Sequence, residues 1–256
     1  MEHLKLTAVV LRTVDYGEGD RVVTLMTRER GKVSAFARGA RASRRRFGGA
    51  LEPFTLIAAE LRARPSSELM ALLSAAVVRG HGGIRKDLSR IACAAYAAEL
   101  ARELVREHEP HEDLFDLLVE YLALLDRTPA RPVALRAFEL EALGAVGLAP
   151  RLDGCARCGR PLDGDARSVK FDPAQGGVLC PACAPSAFPG APLLSRGALD
   201  ALVRLRKARL AAGVDPPPSV AAREMREALG AFIAHFLGRP LAARRFLDEV
   251  GPVLDG

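Results

Sequence analysis

The sequence predicts an α+β protein in two parts, a small five-stranded barrel over residues 1–80 and an all-helical domain over residues 81–256. Three observations point there. Hydrophobic periodicity changes from alternation to helical spacing near residue 80, and four of the five cysteines form two Cys-x2-Cys pairs inside the second part. The basic excess lies wholly in the first part, which has 14 Lys+Arg and 8 Asp+Glu. The chain has 37 and 31 in all, so residues 81–256 carry 23 of each. With 256 residues and a 49% hydrophobic composition, there is enough apolar material for a core in each part.

The strands come first. Residues 6–14 are an apolar run, and "YGEGD" (16–20) supplies a turn with two glycines. Residues 21–27 are rich in β-branched side chains, and "RERG" (28–31) is a tight reversal. Residues 32–38 set Val33 and Phe36 among charged or small residues. Residues 54–61 and 68–75 make two further strands, joined by "RARPSS". Five short strands in so few residues suit the five-stranded OB-fold, although an SH3-like barrel would give a similar pattern.

After "RGHGG" (79–83) apolar residues recur at helical spacing. Ile84, Leu88, Ile91 and Ala95 form one stripe, and Leu114, Leu117, Leu118, Tyr121, Leu122 and Leu125 a second. Leu135, Phe138, Ala142 and Val146 form a third. Further helices are expected near 195–212 and 219–237, separated by "GVDPPPS" (213–219), whose Ser219 is placed to N-cap the later one. Cys93, in "IACAAYAAEL", reads as a small core residue.

A cysteine-bearing insert occupies about 153–185. Its "CARC" (155–158) and "CPAC" (180–183) give Cys-x2-Cys-x21-Cys-x2-Cys. Each pair closes a turn that aims two thiolates at one cation, so Cys155, Cys158, Cys180 and Cys183 are expected to hold one Zn²⁺ tetrahedrally. Two redox pairs or free thiols are the alternative. Four thiolates leave no open position for water, so the expected role is structural, a staple for an insert without its own core. A ribbon that also touches a partner or DNA is the other reading. "SVKFD" (168–172) and "GGVLC" (176–180) read as its two strands.

Arg38, Arg41, Arg44, Arg45 and Arg46 crowd nine positions after the third strand, where OB-folds carry binding loops. Too few carboxylates lie nearby to pair with all five. Such a run is either a solvated loop or a phosphate grip. The second reading gains from Arg12, Arg21, Lys32, Arg62 and Arg64 on the same module. Phe47 offers either a stacking face or a packing anchor. Aromatics make up only 5% of the chain and Trp is absent, so binding is expected to lean on charge and to be salt-sensitive.

Other chemistries find no support. "GHGG" (80–83) lacks the Lys-Ser/Thr of a phosphate-binding loop, and "HEPHED" (108–113) is not a metalloprotease helix. No Gly-x-Ser-x-Gly occurs, so a binding protein rather than an enzyme is expected. The first apolar run ends at Arg12, too short for a signal core or a membrane span. Paired cysteines fit a reducing compartment, so a cytoplasmic protein is expected.

Taken together, these segments resemble the RecO family of bacterial recombination mediators. The resemblance is carried by "AVVLRTVDYGEGDRVVTLMTRERGKVSAFARGARASRRRFGGALEPFTL" (8–56), "AAYAAEL" (94–100), the four-cysteine insert and "FLGRPLAARRFLDEV" (236–250). Its most specific parts are Thr27-x3-Gly31-Lys32 with the Gly-Ala-Arg that follows, and Leu51-x-Pro53-Phe54 before the fourth strand. The resemblance implies an N-terminal OB domain, a helical C-terminal domain with a zinc-binding insert, and no catalysis. It implies binding of single- and double-stranded DNA and annealing of complementary strands coated with single-stranded-DNA-binding protein (SSB). It also implies loading of the recombinase RecA together with RecR, and docking of the SSB C-terminal tail on the helical domain. The residues expected at DNA are Arg21, Lys32, Arg38, Arg41, Arg44, Arg45 and Arg46. A zinc-ribbon adaptor for RNA or transcription is the rival reading, and a zinc hydrolase with an open metal position a third.

Overall fold

The computed structural model describes residues 3–64, 67–162 and 166–254. Pro65 and Ser66 of the expected "RARPSS" reversal lie outside them, as does the side chain of Arg64. The chain divides into two compact units, Met1–Pro129 and Ala130–Gly256.

The first unit contains the barrel. Its strands are β1 (His3–Tyr16), β2 (Asp20–Thr27), β3 (Gly31–Ala37), β4 (Leu56–Arg64) and β5 (Ser67–Arg79). They close in the order β1-β2-β3-β5-β4, as an OB-fold does. The β3–β5 pairing is parallel, through Ala35 with Met70 and Phe36 with Ala71, and the other pairings are antiparallel. Alternation sends Val10, Val23, Leu25, Val33, Ile57 and Leu61 into the barrel core. A bulge at Leu11 bends β1 between Val10 and Arg12 and lets one long strand serve both neighbours.

Between β3 and β4 the chain makes one helical turn, α1 (Arg44–Phe47). Phe47, Ala50 and Leu51 join the barrel core, with Phe47 only 3% exposed. The basic segment is therefore ordered, and Phe47 is its packing anchor.

Two helices complete this unit, α2 (Leu88–Leu104) and α3 (Glu112–Arg127). The expected helix from Ile84 starts four residues later. Ile84–Lys86 is a separate 3₁₀ turn, and the Asp87 carboxylate caps α2 by accepting from the Arg90 N–H at 2.8 Å. Helix α2 packs on α3 and across β1. Val9, Leu11 and Met26, which face out of the barrel, are consequently buried. Arg28 reaches Glu112 at 3.3 Å and Asp116 at 3.0 Å on α3. These contacts place the unit boundary one helical pair beyond the change of texture near residue 80.

The second unit holds α4 (Pro132–Ala145), β6 (Ser168–Asp172), β7 (Gly177–Leu179), β8 (Leu193–Ser195), α5 (Arg196–Lys207), α6 (Ser219–Leu237) and α7 (Ala242–Leu254). The insert's sheet has three strands in the order β7-β6-β8, one more than the ribbon the sequence suggests. It is tied to the helices: the Phe171 ring lies 5.7 Å from that of Phe232, and Glu224 accepts from the Ser195 N–H at 2.8 Å. Ser195 caps α5, whereas Ser219 is the first helical residue of α6 and Pro218 takes the cap position. Cys93 is fully buried, as expected. Among the described residues no helix is long and apolar enough to cross a membrane.

Candidate nucleic-acid interface and metal centre

The arginine segment is fixed by its backbone. Gly39 donates to the Asp20 carboxylate at 2.6 Å, and the Arg41 N–H donates to the Gly19 carbonyl at 3.1 Å. The Arg41 guanidinium adds a bond to the Glu18 carbonyl at 3.0 Å. The loop is thus latched to the β1–β2 turn at one end and plugged into the barrel by Phe47 at the other.

Arg38, Arg41, Arg44, Arg45 and Arg46 are all exposed, and among the described residues none of them pairs with an acid. Their roles separate. Arg46 donates to the Arg38 carbonyl at 2.7 Å and to Ser43 Oγ at 3.1 Å, and its guanidinium lies 4.9 Å from the Phe47 ring centroid. It braces the loop. Arg44 and Arg45 project without a side-chain bond to any described residue. A depression of about 230 Å³, walled by Arg21, Arg41, Arg44, Gly48, Gly49 and Glu52, opens beside them.

Arg21 walls the same depression but, like Lys32, already has partners of its own. Arg21 is neutralised by Asp15 at 3.0 Å and Glu52 at 3.6 Å. Lys32 Nζ donates to the carbonyls of Arg102 at 2.9 Å and Val105 at 2.8 Å, where the last turn of α2 leaves oxygens without intrahelical partners. Its charge also meets the negative end of the helix dipole. Both are among the residues expected at DNA, and a count of charges does not show these partners.

Tyr16 and Phe36 belong to no sequence motif. They stand on neighbouring parts of the same open strand face, their rings edge to face at 5.7 Å. Only the strand register brings them together.

In the second unit, two turns bring the cysteines to one point. The Cys155 N–H donates to the Arg160 carbonyl at 2.8 Å and the Gly159 N–H to the Cys155 carbonyl at 2.9 Å. In the other turn the Cys183 and Ala184 N–H groups both donate to the Cys180 carbonyl at 2.9 Å. Ala156 donates to Val178, and Val178 to Arg151, which joins the first turn to β7. At Gly177 a side chain would strike the Arg151 backbone, so this close approach needs glycine.

The four sulfurs lie within 4.8 Å of one another, and Cys158 Sγ is 3.8 Å from Cys180 Sγ. A tetrahedral shell with metal–sulfur bonds of about 2.3 Å requires sulfurs about 3.8 Å apart, so the residues fit a four-thiolate metal site. Burial pushes the Cys155 thiol up, but N–H groups of Cys158, Cys180 and Arg157 outweigh it and bring it down to about 6. Cys183 is pushed up to about 12 by burial and by its three sulfur neighbours. Such a site favours a cation that removes the protons.

Comparison with known proteins divides the chain where its periodicity changes near residue 80, not at the boundary of the two compact units. The N-terminal profile, Recombination protein O N terminal, matches residues 1–81. Recombination protein O C terminal matches residues 85–245. A protein named DNA repair protein RecO from Anaeromyxobacter sp. (strain Fw109-5) is 67% identical over 99% of this chain and 98% of its own. One of the same name from Anaeromyxobacter dehalogenans (strain 2CP-C) is 65% identical over the full length of both. Another from Myxococcus xanthus (strain DK1622) is 44% identical over 98% of this chain and 99% of its own.

Proposed function

This chain belongs to the RecO family of DNA repair proteins, and from that premise we propose that it is a non-enzymatic recombination mediator that binds single- and double-stranded DNA and anneals SSB-coated complementary strands. The observation that carries this reading is the ordered loop with five exposed arginines, none of them paired with an acid among the described residues. Two single strands repel through their phosphates. Guanidiniums at the loop neutralise that charge by bidentate contacts that ignore sequence, so the Watson–Crick edges stay free to pair.

Cys155, Cys158, Cys180 and Cys183 would hold one Zn²⁺, which would supply structural cross-linking. The sheet beside it is tied to α6 through β8, the turn at Pro173–Gln175 and the Phe171–Phe232 contact, so the metal site would stabilise the helical unit. The family resemblance supports RecR and the SSB tail as protein partners, RecA loading as the outcome, and action at the nucleoid in the cytoplasm.

The test is annealing of complementary oligonucleotides, bare and SSB-coated, by the purified chain. Acceleration of both is expected. Tight binding with no acceleration would overturn the mediator reading and favour a nucleic-acid adaptor.

A further inference from the structure

The outward face of β1, β2 and β3 is divided in two. One half, with Val9, Leu11 and Met26, is buried where α2 crosses β1. Beyond the bulge, register sets Val14 opposite Val22 on β2, and Val22 opposite Phe36 on β3, while Arg12 lies opposite Thr24. Alternation turns these residues away from the core that takes Val23, Leu25 and Val33. This half is open to solvent, with Val14 42% and Tyr16 61% exposed.

Tyr16 is held in place rather than loose. Its ring meets that of half-buried Phe36 at 5.7 Å and 80°, so Phe36 braces it from one side and leaves the rest of the ring bare. Arg12 precedes it on the same face, and Arg38 lies two residues past Phe36. Both guanidiniums are exposed, and among the described residues neither pairs with an acid.

We propose that this face is a base-stacking platform for single-stranded DNA, with one base on the Tyr16 ring and flanking phosphates on Arg12 and Arg38. It rests on the DNA-binding reading above and adds to it a contact with bases. Charge selects the occupant. Asp20, opposite Tyr16, is engaged by the Gly39 N–H. A bare ring flanked by the unpaired Arg12 and Arg38 thus suits a chain that carries both π-faces and phosphates, whereas an apolar protein patch would leave two guanidiniums at its rim without partners. The platform is also continuous with the arginine loop, because Arg46 donates to the Arg38 carbonyl. Bases in a duplex are already stacked, so the platform favours single strands.

The chain offers its own probe. It has 3 Tyr and no Trp, and Tyr96 and Tyr121 are 1% and 0% exposed, so an added ligand reaches Tyr16 alone. The experiment compares the full chain with Tyr16→Ala and Tyr16→Phe, using an oligothymidylate and an abasic strand of equal length. Stacking of one base corresponds to about 5- to 150-fold in affinity. Tyr16→Ala is expected to lose that factor on oligothymidylate, to lose nothing on the abasic strand and to keep the salt slope. Tyr16→Phe is expected to keep wild-type affinity. Oligothymidylate, but not the abasic strand, is expected to quench tyrosine emission of the wild type. Undiminished binding by Tyr16→Ala with unquenched wild-type emission would overturn the platform and leave the face to a protein. Loss of binding in arginine-loop variants alone sinks the platform while the DNA reading stands. A wild type that binds no DNA sinks both.

Discussion

Replacing Arg44 and Arg45 with alanine isolates the electrostatic part of the proposed interface. Both side chains are exposed and bond to no described residue, so charge is removed without loosening the loop. Arg46 is unsuitable for this purpose, because its two hydrogen bonds and its contact with Phe47 hold the loop together. Each phosphate neutralised on a single strand contributes about 0.7 to the slope of log affinity against log salt. Losing two contacts should therefore reduce the slope by about 1.4. If the lines for wild type and variant meet near 1 M salt, the variant binds about 25-fold more weakly at about 0.1 M. Fluorescence anisotropy of a labelled oligonucleotide, followed from about 0.05 to about 0.3 M salt, measures both quantities. Lys32→Met is the control: it should lower the unfolding free energy by about 2 kcal/mol by uncapping α2, yet leave the slope as it was. A double variant with wild-type slope, or a control that loses it, would refute the assignment of the binding charge to this loop.

Two further outcomes test the remaining chemistry. Cys155→Ser should drop metal content from about one ion per chain to near zero and lower the melting temperature of the helical unit, with single-strand binding largely kept. Elemental analysis with calorimetry checks this, and full metal retention would contradict a four-sulfur shell. His81 provides a pH test. Burial holds it below its ordinary value, its Nδ1 sits 2.7 Å from the Phe54 carbonyl, and its buried Nε2 has no partner among the described residues. As pH falls through about 6.5, the unfolded chain takes up the proton before the folded one does. Its contribution is therefore complete above that pH and is lost below it. His81→Asn keeps a donor and tolerates the φ of 47°. Urea midpoints at about pH 7.5 and about pH 5.5 should differ less in this variant than in the wild type.

What could be read from the sequence depended on whether the signal was local. The core strands announce themselves by alternation, and the two cysteine pairs by spacing. Strand β1 runs on to His3 because its polar end is held by backbone pairing to β4, with His3 opposite Arg62, which hydropathy does not report. The three-residue β8 is too short to carry a period. Helix α7, where the sequence reading places no helix, follows the left-handed C-cap of α6 at Gly238 with a φ of 69°. Long-range contacts were the blind spot. Lys32 meets carbonyls some 70 residues on (70 and 73), and Tyr16 meets Phe36 across two strands. A count of charges or of aromatics registers all these residues but gives none of them a direction.

The Thr27-x3-Gly31-Lys32 signature has a physical meaning that its neighbourhood to the arginine loop obscures. Thr27 Oγ1 donates to the Gly31 carbonyl at 2.9 Å and accepts from the Arg30 N–H at 3.1 Å, closing the β2–β3 turn. Gly31 takes a φ of 63°, and a side chain there would strike the Glu109 carbonyl, so the turn lies flat against the segment joining α2 to α3. Lys32 then caps α2. Thr27, Gly31 and Lys32 thus serve the joint between barrel and helices, whereas the Gly39-Ala40-Arg41 that follows them belongs to the arginine loop. Yet the joint shapes the proposed DNA surface. By seating α2 over Val9, Leu11 and Met26, it covers one half of the strand face and leaves Arg12 and Tyr16 open beside the loop. The stretch that carries the family resemblance thus holds both the residues of this joint and those proposed to grip the ligand, coupled because the first decide how much of the barrel the second can use.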